Sequence, residues 1–256
     1  MICKTDSKDW IILFGGGGRE EVVTMMQQHG HNVIRLLVPM KTSPRLEKSI
    51  ARLRSVGFPI EAVDRDSAQR VLRNVQGGQI LSVGWPYILD RDVLERHKLA
   101  LNVHPTLLPK YAGPTSGAWV ILEGERVSGS TVHVITAEPD GGEILTQSNV
   151  IVDTFDTLRS MQRRVYAAEP RLVCETLEML SMDGIPAWKP EASPDFRAAR
   201  TPEHSRIDPA KPLLELYDEI RASDPDAFPA HFFLEGQKVC IKLWRDKRLP
   251  GEEDMI

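Results

Sequence analysis

Short apolar runs exchange regularly with amphipathic stretches from the start of this chain, and that alternation limits its fold more than any other feature. Trp10 to Phe14 is an apolar run of strand length, Gly15-Gly16-Gly17-Gly18 interrupts it, and a helical pattern follows through Gln28. The strand signal returns at Val33 to Val38. Ser43 to Val56 then reads as a helix opened by Ser43-Pro44, and Ile60 to Val63 as a short strand. Asp66 to Val75 fits a helix, Ile80 to Val83 a buried strand, Leu89 to His97 a helix and Leu99 to Val103 another strand. Strands separated by helices return by crossovers, so the pattern predicts a parallel sheet covered on both faces. Open sheets of this kind bind ligands beyond the carboxyl ends of their strands, which singles out the segments after Phe14, Val83 and Val103.

The pattern then changes. A helix is expected from Pro114 through Leu122, and Ser130 to Thr136 and Ile144 to Val152 read as paired strands joined by the turn Pro139-Asp140-Gly141-Gly142. Asp153 or Thr154 is placed to cap a long helix from Thr157 to Met182, with Pro170 expected to kink it. Pro186, Pro190, Pro194 and Pro202 punctuate a polar stretch, read as a linker or extended arm over 186–204. Beyond it, Ile207 to Arg221 resembles a helix, and Phe232-Phe233 with Val239 to Trp244 two strands around Glu235-Gly236-Gln237. The expected fold is α/β: a mostly parallel, Rossmann-like sheet with helices on both faces in a main domain over 1–185, and a small C-terminal α/β subdomain over 205–256.

Composition excludes several functional classes. With 32 Lys and Arg against 36 Asp and Glu the net charge is −4, which argues against binding nucleic acid through many phosphates. Cys3, Cys174 and Cys240 are far apart and cannot all pair, so neither a disulfide framework nor a tetrathiolate metal site is expected, and a reducing cytoplasm is the natural compartment. MICKTDSKDW lacks the apolar stretch of a secretory signal, and no run approaches the ~20 residues that span a bilayer, so no membrane association is expected. His97, His204 and His231 lack the spacing to carboxylate or thiol that a metal site needs, and no metal is expected.

The chemistry concentrates in Asn102-Val103-His104-Pro105-Thr106-Leu107-Leu108-Pro109, where a central strand ends. Strand alternation puts Asn102 and His104 on one side, so a carboxamide that can donate to an oxyanion and an imidazole that can relay a proton can converge on one reacting group. Pro105 and Pro109 restrict the exit loop, and the two leucines can anchor it. An isolated Asn-x-His pair more often satisfies loop backbone. Asp140, on a glycine-supported turn, can present a carboxylate to an imidazole, or can be an ordinary turn residue. Gly15 to Gly18 reads as a tight turn. It departs from the dinucleotide fingerprint, because Val38 is followed by Pro39-Met40-Lys41 rather than an acidic residue.

Asn102 to Pro109, followed by Gly113-Pro114, Gly129-Ser130-Thr131-Val132-His133 and Asp140-Gly141-Gly142-Glu143-Ile144-Leu145, resembles the folate-dependent formyltransferase family. The resemblance spans roughly residues 80 to 150. It implies that Asn102, His104 and Asp140 form the family's catalytic group, with 10-formyltetrahydrofolate as formyl donor. It places the pterin against Trp85, Pro86, Tyr87, Ile88 and Leu89 and against the segment that begins with Ala137 and Glu138. Gly15, Gly16, Pro105 and Thr106 become candidate acceptor contacts, and His133 a support behind the site. Thr106 stands where serine is commoner, and Ala112 where relatives often carry a basic residue. The short tail is most similar to that of the nucleotide-sugar N-formyltransferases, which implies an amino-sugar nucleotide as acceptor, a role in cell-surface polysaccharide and a homodimer through the tail. Formylation of methionyl-tRNA or another small amine, hydrolysis of formyltetrahydrofolate, and noncatalytic folate binding remain as alternatives.

Overall fold

The computed structural model describes residues 7–75, 77–182 and 184–247. The charged N-terminal residues and Cys3, used above, lie outside the described residues. A seven-stranded sheet runs in the order β3-β2-β1-β4-β5-β6-β7, built from β1 (Asp9–Phe14), β2 (Asn32–Pro39), β3 (Ile60–Val63), β4 (Gln79–Val83), β5 (Leu99–His104), β6 (Val127–Val134) and β7 (Ile144–Ile151). Strands β1 to β5 are parallel, whereas β6 pairs antiparallel with β5 and β7 antiparallel with β6. The mostly parallel α/β sheet expected from the alternation is the one observed.

Two apolar layers follow from the period-two alternation of these strands. Trp10, Ile12, Phe14, Leu81, Val83, Leu101, Val103 and Val132 face one layer, where they meet α1 (Glu20–Gln28), α2 (Pro44–Ser55) and α6 (Leu158–Met182). Ile11, Leu13, Ile80 and Ala100 face the other, against α3 (Arg65–Arg73) and the short α4 (Arg91–Leu94). Each fully buried aliphatic side chain contributes about 1.5–3 kcal/mol. The α1/α2/α6 layer holds the larger share of the core, and the smaller α3/α4 layer closes the other face.

Helix ends obey local chemistry. Ser43 Oγ accepts from the Leu46 amide and Asp64 Oδ1 from the Ser67 amide, capping α2 and α3. For α6 the cap is Thr157, whose Oγ1 accepts from Ser160 N at 3.2 Å, rather than Asp153 or Thr154. Asp153 and Asp156 are used one turn earlier, where the Asp153 amide donates to the Asp156 carboxylate. Pro170 lies within the unbroken helical span 158–182.

Several expected elements shift. The helix expected over Leu89 to His97 contracts to Arg91–Leu94, because Leu89 is drawn into the core and His97 Nε2 donates to the Leu72 carbonyl at the end of α3. Strand β6 begins at Val127 and ends at Val134, earlier at both ends than Ser130 to Thr136. Helix α5 covers Ser116–Leu122. The helix expected from Ile207 is α7, Leu213–Arg221, which starts only after Pro212. The last two strands are β8 (Ala230–Leu234) and β9 (Gln237–Ile241), joined by Glu235 and Gly236, both at positive φ (50° and 78°), the two-residue turn that matches strand twist.

Segment 186–200 has no regular structure but is bonded along its length. Trp188 exchanges two main-chain hydrogen bonds with Ile144, and Ala112 and Phe196 form a parallel bridge. It is an arm laid on the main sheet unit, not a free linker.

Candidate active site

The chain runs from β1 to β2 and β3 on one side and to β4 and β5 on the other, so the order reverses between β1 and β4. Loops leaving the sheet there open a crevice beyond the strand ends. A cavity of about 700 Å³ occupies this place, bounded by Gly15 to Gly17, Trp85 to Leu89, Asn102 to Pro105, Gly113 to Ser116 and Asp140. That volume lies within the usual range of small-molecule sites, roughly 300–1,000 Å³.

Strand β5 delivers the polar pair. Leu101 and Val103 turn to the α1/α6 layer and Ala100 to the α3/α4 layer, so Asn102 and His104 share the α3/α4 face. Directly across the antiparallel ladder, Asn102 pairs with His133 and His104 with Thr131. The His133 Nδ1 lies 3.0 Å from the Val134 carbonyl oxygen, which can only accept, so that nitrogen carries a proton and Nε2 is the acceptor. Asn102 Nδ2 donates to His133 Nε2 at 3.0 Å, which fixes the amide and leaves it one hydrogen. Thr131 ties down the exit loop: its hydroxyl donates to Thr106 O at 2.7 Å and accepts from the Leu108 amide at 3.1 Å.

His104 is 5% exposed and its Nε2 lies 3.0 Å from the Tyr111 carbonyl oxygen, so Nε2 is the protonated nitrogen. Its Nδ1 faces Asp140 Oδ2 at 3.6 Å. Burial pushes the His104 pKa below its ordinary 6.5, outweighing the opposing pull of the Asp140 carboxylate and the Tyr111 carbonyl. The Asp140 carboxyl is itself partly buried, which opposes ionisation, yet His133 and His104 in their protonated forms, and the Gly113 amide, hold it well below the usual carboxylate range. The Gly113 amide donates to Asp140 Oδ2 at 2.7 Å, and Asp140 Oδ1 lies 3.5 Å from His133 Nε2. Asp140 sits at φ 52°, a left-handed conformation that aspartate tolerates. Gly142 is obligatory behind it, since a Cβ there would stand 1.9 Å from Val134 O. The structure thus brings Asn102, His104 and Asp140 together around one cavity.

The remaining expected residues divide. Trp85, Pro86, Tyr87, Ile88 and Leu89 all line the cavity. Trp85 and Tyr87 stack edge to face at 5.2 Å, and the buried Trp85 Nε1 has no partner among the described residues. Ala137 and Glu138 do not line this cavity; both are exposed, and Ile135, Thr136, Pro139 and Asp140 take that wall. The cause is local, for the Thr136 hydroxyl donates to Glu138 O and turns the intervening residues outward. Pro105 lines the cavity, whereas Thr106 is fully buried and donates to Tyr111 O at 3.1 Å, a loop support rather than an acceptor contact. Gly15 and Gly16 line the cavity, but their amides both donate to Val83 O at 3.0 and 2.9 Å and are spent on the turn. Ala112 is fully buried beneath the arm.

Arg19, Tyr166 and Phe196 are among the cavity residues that escaped the sequence. Arg19, 3% exposed, makes paired contacts of 2.6 and 2.7 Å to the fully buried Glu169 and a third of 2.9 Å to Val103 O. Ser130 Oγ completes Glu169 at 2.9 Å. The available signal was Glu169 itself, a charge placed four residues after Val165 on the apolar stripe of α6. Among the described residues no group of three or more His, Cys, Asp or Glu is arranged to hold a metal, and no helix is long and apolar enough to cross a membrane.

Residues 20–177, more than half of the chain, match the model of the formyl transferase family. A methionyl-tRNA formyltransferase of Borreliella burgdorferi is 29% identical over 194 residues, covering 73% of this chain and 62% of the relative; the chain therefore spans under two thirds of its curated relative's length. Among solved structures, a 4-N formyltransferase from Francisella tularensis superposes with a TM-score of 0.76 at 19% identity, over 94% of this chain and 98% of its own. An N-formyltransferase from Helicobacter canadensis, in complex with folinic acid and dTDP-3-aminofucose, superposes with a TM-score of 0.69 at 17% identity, over 91% of this chain and 86% of its own.

Proposed function

We propose an activity from one premise: this chain belongs to the formyl transferase family. It moves the formyl group of 10-formyltetrahydrofolate to the amino group of a nucleotide-linked amino sugar. The observation that carries the transfer chemistry is the meeting of Asn102, His104 and Asp140 at the mouth of β5. Support for the sugar comes from the matched structures: one described as a sugar N-formyltransferase, from a Shewanella species, superposes over 92% of this chain and 96% of its own. Support for the donor comes from the Trp85 to Leu89 wall, a largely apolar slot with one unpartnered indole N–H, suited to a flat heterocycle with polar edges.

The chain's own groups divide the work. The acceptor amine attacks the formyl carbon, a C–N bond forms, and the carbonyl electron pair moves to oxygen, where the free Asn102 amide hydrogen stabilises it. His104, neutral through burial and tied by Nε2–H to Tyr111, offers its Nδ1 lone pair to the proton that the attacking nitrogen sheds. Asp140 favours the resulting imidazolium. The proton then goes to the folate nitrogen as its C–N bond breaks and the carbonyl re-forms, giving the formamide and tetrahydrofolate. In this geometry His104 begins as base.

A second reading, transfer to methionyl-tRNA, is favoured by the sequence relatives. One experiment separates them: purified protein, 10-formyltetrahydrofolate, and in parallel a panel of amino-sugar nucleotides, methionyl-tRNA and small amines, with the added formyl mass read by mass spectrometry. Formylation of a sugar nucleotide is the expected result. Transfer to tRNA alone overturns the sugar assignment, and formate release without any acceptor points to hydrolysis.

A further inference from the structure

The arm presents one aromatic ring to the cavity, and that ring is unusually bare. Phe196 lines the cavity and is 56% exposed, whereas Trp85, Tyr87 and Tyr166 on the other walls are partly covered. A single exposed apolar side chain is ordinary on a protein surface; what distinguishes Phe196 is its place, a ring open to the cavity beside the catalytic groups.

Its placement is rigid. Asp195 N donates to Pro109 O at 2.8 Å, Ala112 N to Asp195 O at 3.0 Å, and Arg197 N to Ala112 O at 2.8 Å, so the main chain is fastened on both sides of the phenylalanine. The Arg197 guanidinium bridges to Glu123 at 2.8 Å and lies over the rings of Tyr111 and Trp119, each at 5.6 Å. The ring itself rests on Gly113, where φ is +94° and a Cβ would meet Phe196 Cε2 at 2.9 Å and Arg197 O at 2.7 Å. The same Gly113 donates its amide to Asp140 Oδ2. Gly113 thus touches both the Phe196 ring and the carboxylate that faces His104, at the part of the cavity bounded by Gly113 to Ser116.

We propose that Phe196 is a specificity-determining residue, an aromatic wall on which the apolar C–H face of the acceptor's sugar ring stacks so that its amine is held before Asn102 and His104. This rests on the sugar assignment above and deepens it. The electron-rich ring face suits the weakly positive C–H groups of a sugar. Held on a fixed main chain, it needs no ordering when the acceptor arrives, so its contact is not offset by lost freedom. The arm thereby belongs to the acceptor site, although its sequence carries no regular pattern.

The test compares wild type, Phe196→Ala and Phe196→Tyr. Binding of 5-formyltetrahydrofolate, a non-transferring donor analogue, reports the donor slot, and turnover with 10-formyltetrahydrofolate over the amine panel reports the acceptor. Phe196→Ala is expected to raise the acceptor KM about tenfold, the size of one lost aromatic contact. Donor affinity should stay unchanged, and Phe196→Tyr should restore the acceptor KM. Thermal unfolding of each variant checks that the fold survives. If wild type formylates a sugar nucleotide but Phe196→Ala leaves its KM within about twofold, the stacking role fails while the sugar assignment stands. A loss of donor affinity instead would put Phe196 in the donor slot and overturn the proposal. If wild type formylates only a non-sugar amine, the assignment and the proposal fall together.

Discussion

His104 Nε2 and the main-chain oxygen of Tyr111 lie 3.0 Å apart, a contact that joins the end of β5 to the loop it enters. Since a carbonyl oxygen can only accept, the bond fixes the tautomer of the imidazole and turns Nδ1 toward Asp140. Tyr111, Ala112 and Gly113 are consecutive, and they contact His104, the arm and Asp140 in turn. Three parts of the site are thus held in register by one short stretch of backbone.

The pH dependence follows from His104. Only the neutral ring can take a proton, and burial lowers its pKa below 6.5. As pH falls, activity should persist through the normal imidazole range and be lost only below it. The acid limb of kcat/KM against pH, measured at saturating donor, checks this, and a limb at or above 6.5 would contradict the assigned state.

Asp140→Asn removes the charge that stabilises the imidazolium while keeping the side-chain shape. Turnover should fall by about 10² to 10⁴, the usual reach of acid–base assistance. The acid limb should move to still lower pH, because the Asp140 carboxylate is a group that raises the His104 pKa. Steady-state rates across pH, with thermal unfolding as a fold check, decide it. Turnover close to wild type would remove Asp140 from the mechanism.

Arg19 and Glu169 form a buried pair, 3% and 0% exposed at their side chains. Deleting one partner leaves the other charged and desolvated, a cost of about 3–5 kcal/mol. Urea unfolding of Glu169→Leu should show a loss of that order, and Arg19→Met with Glu169→Leu together should lose less than the sum of the single changes. Additive losses would mean that the two groups are not coupled.

How far the sequence disclosed this depended on whether a residue's role was local. The parallel sheet was legible because each strand and helix carries its own periodicity, and Asn102 and His104 because strand alternation alone puts them on one face. Asp140 was legible through its turn and the resemblance. The contraction of the helix after Leu89 was not, because that residue serves the α3/α4 core, a tertiary demand that overrides helical pattern. Arg19 and Glu169 meet across 150 positions of chain, and no spacing rule spans that. Phe196 sits in a proline-punctuated segment whose order comes from main-chain bonds to Pro109 and Ala112. Such bonds leave no mark on side-chain pattern.

Thr106 separates loop support from acceptor contact. Its hydroxyl donates to Tyr111 O at 3.1 Å inside the core. Thr106→Val keeps the shape and removes that bond, at a cost of about 0.5–1.5 kcal/mol, since Tyr111 O keeps its bond from His104. Thr106→Ser should stay near wild type. Acceptor KM should be unchanged in both; a rise in KM for Thr106→Val at unchanged stability would restore the residue to the acceptor site.

Gly113 is the position where the arm and the catalytic carboxylate meet. Alanine there combines left-handed strain, about 1–3 kcal/mol, with contacts of 2.7 Å to Arg197 O and 2.9 Å to the Phe196 ring. The nearest atoms to such a Cβ all belong to the arm, so the arm is the part expected to lift. Gly113→Ala should therefore lose stability by that amount and expose 186–200 to limited proteolysis, with cleavage sites mapped by mass spectrometry. Its turnover should fall as well, because Asp140 Oδ2 takes its hydrogen bond from the Gly113 amide. Proteolysis unchanged from wild type, with turnover intact, would show that the arm and Asp140 are not linked through this residue.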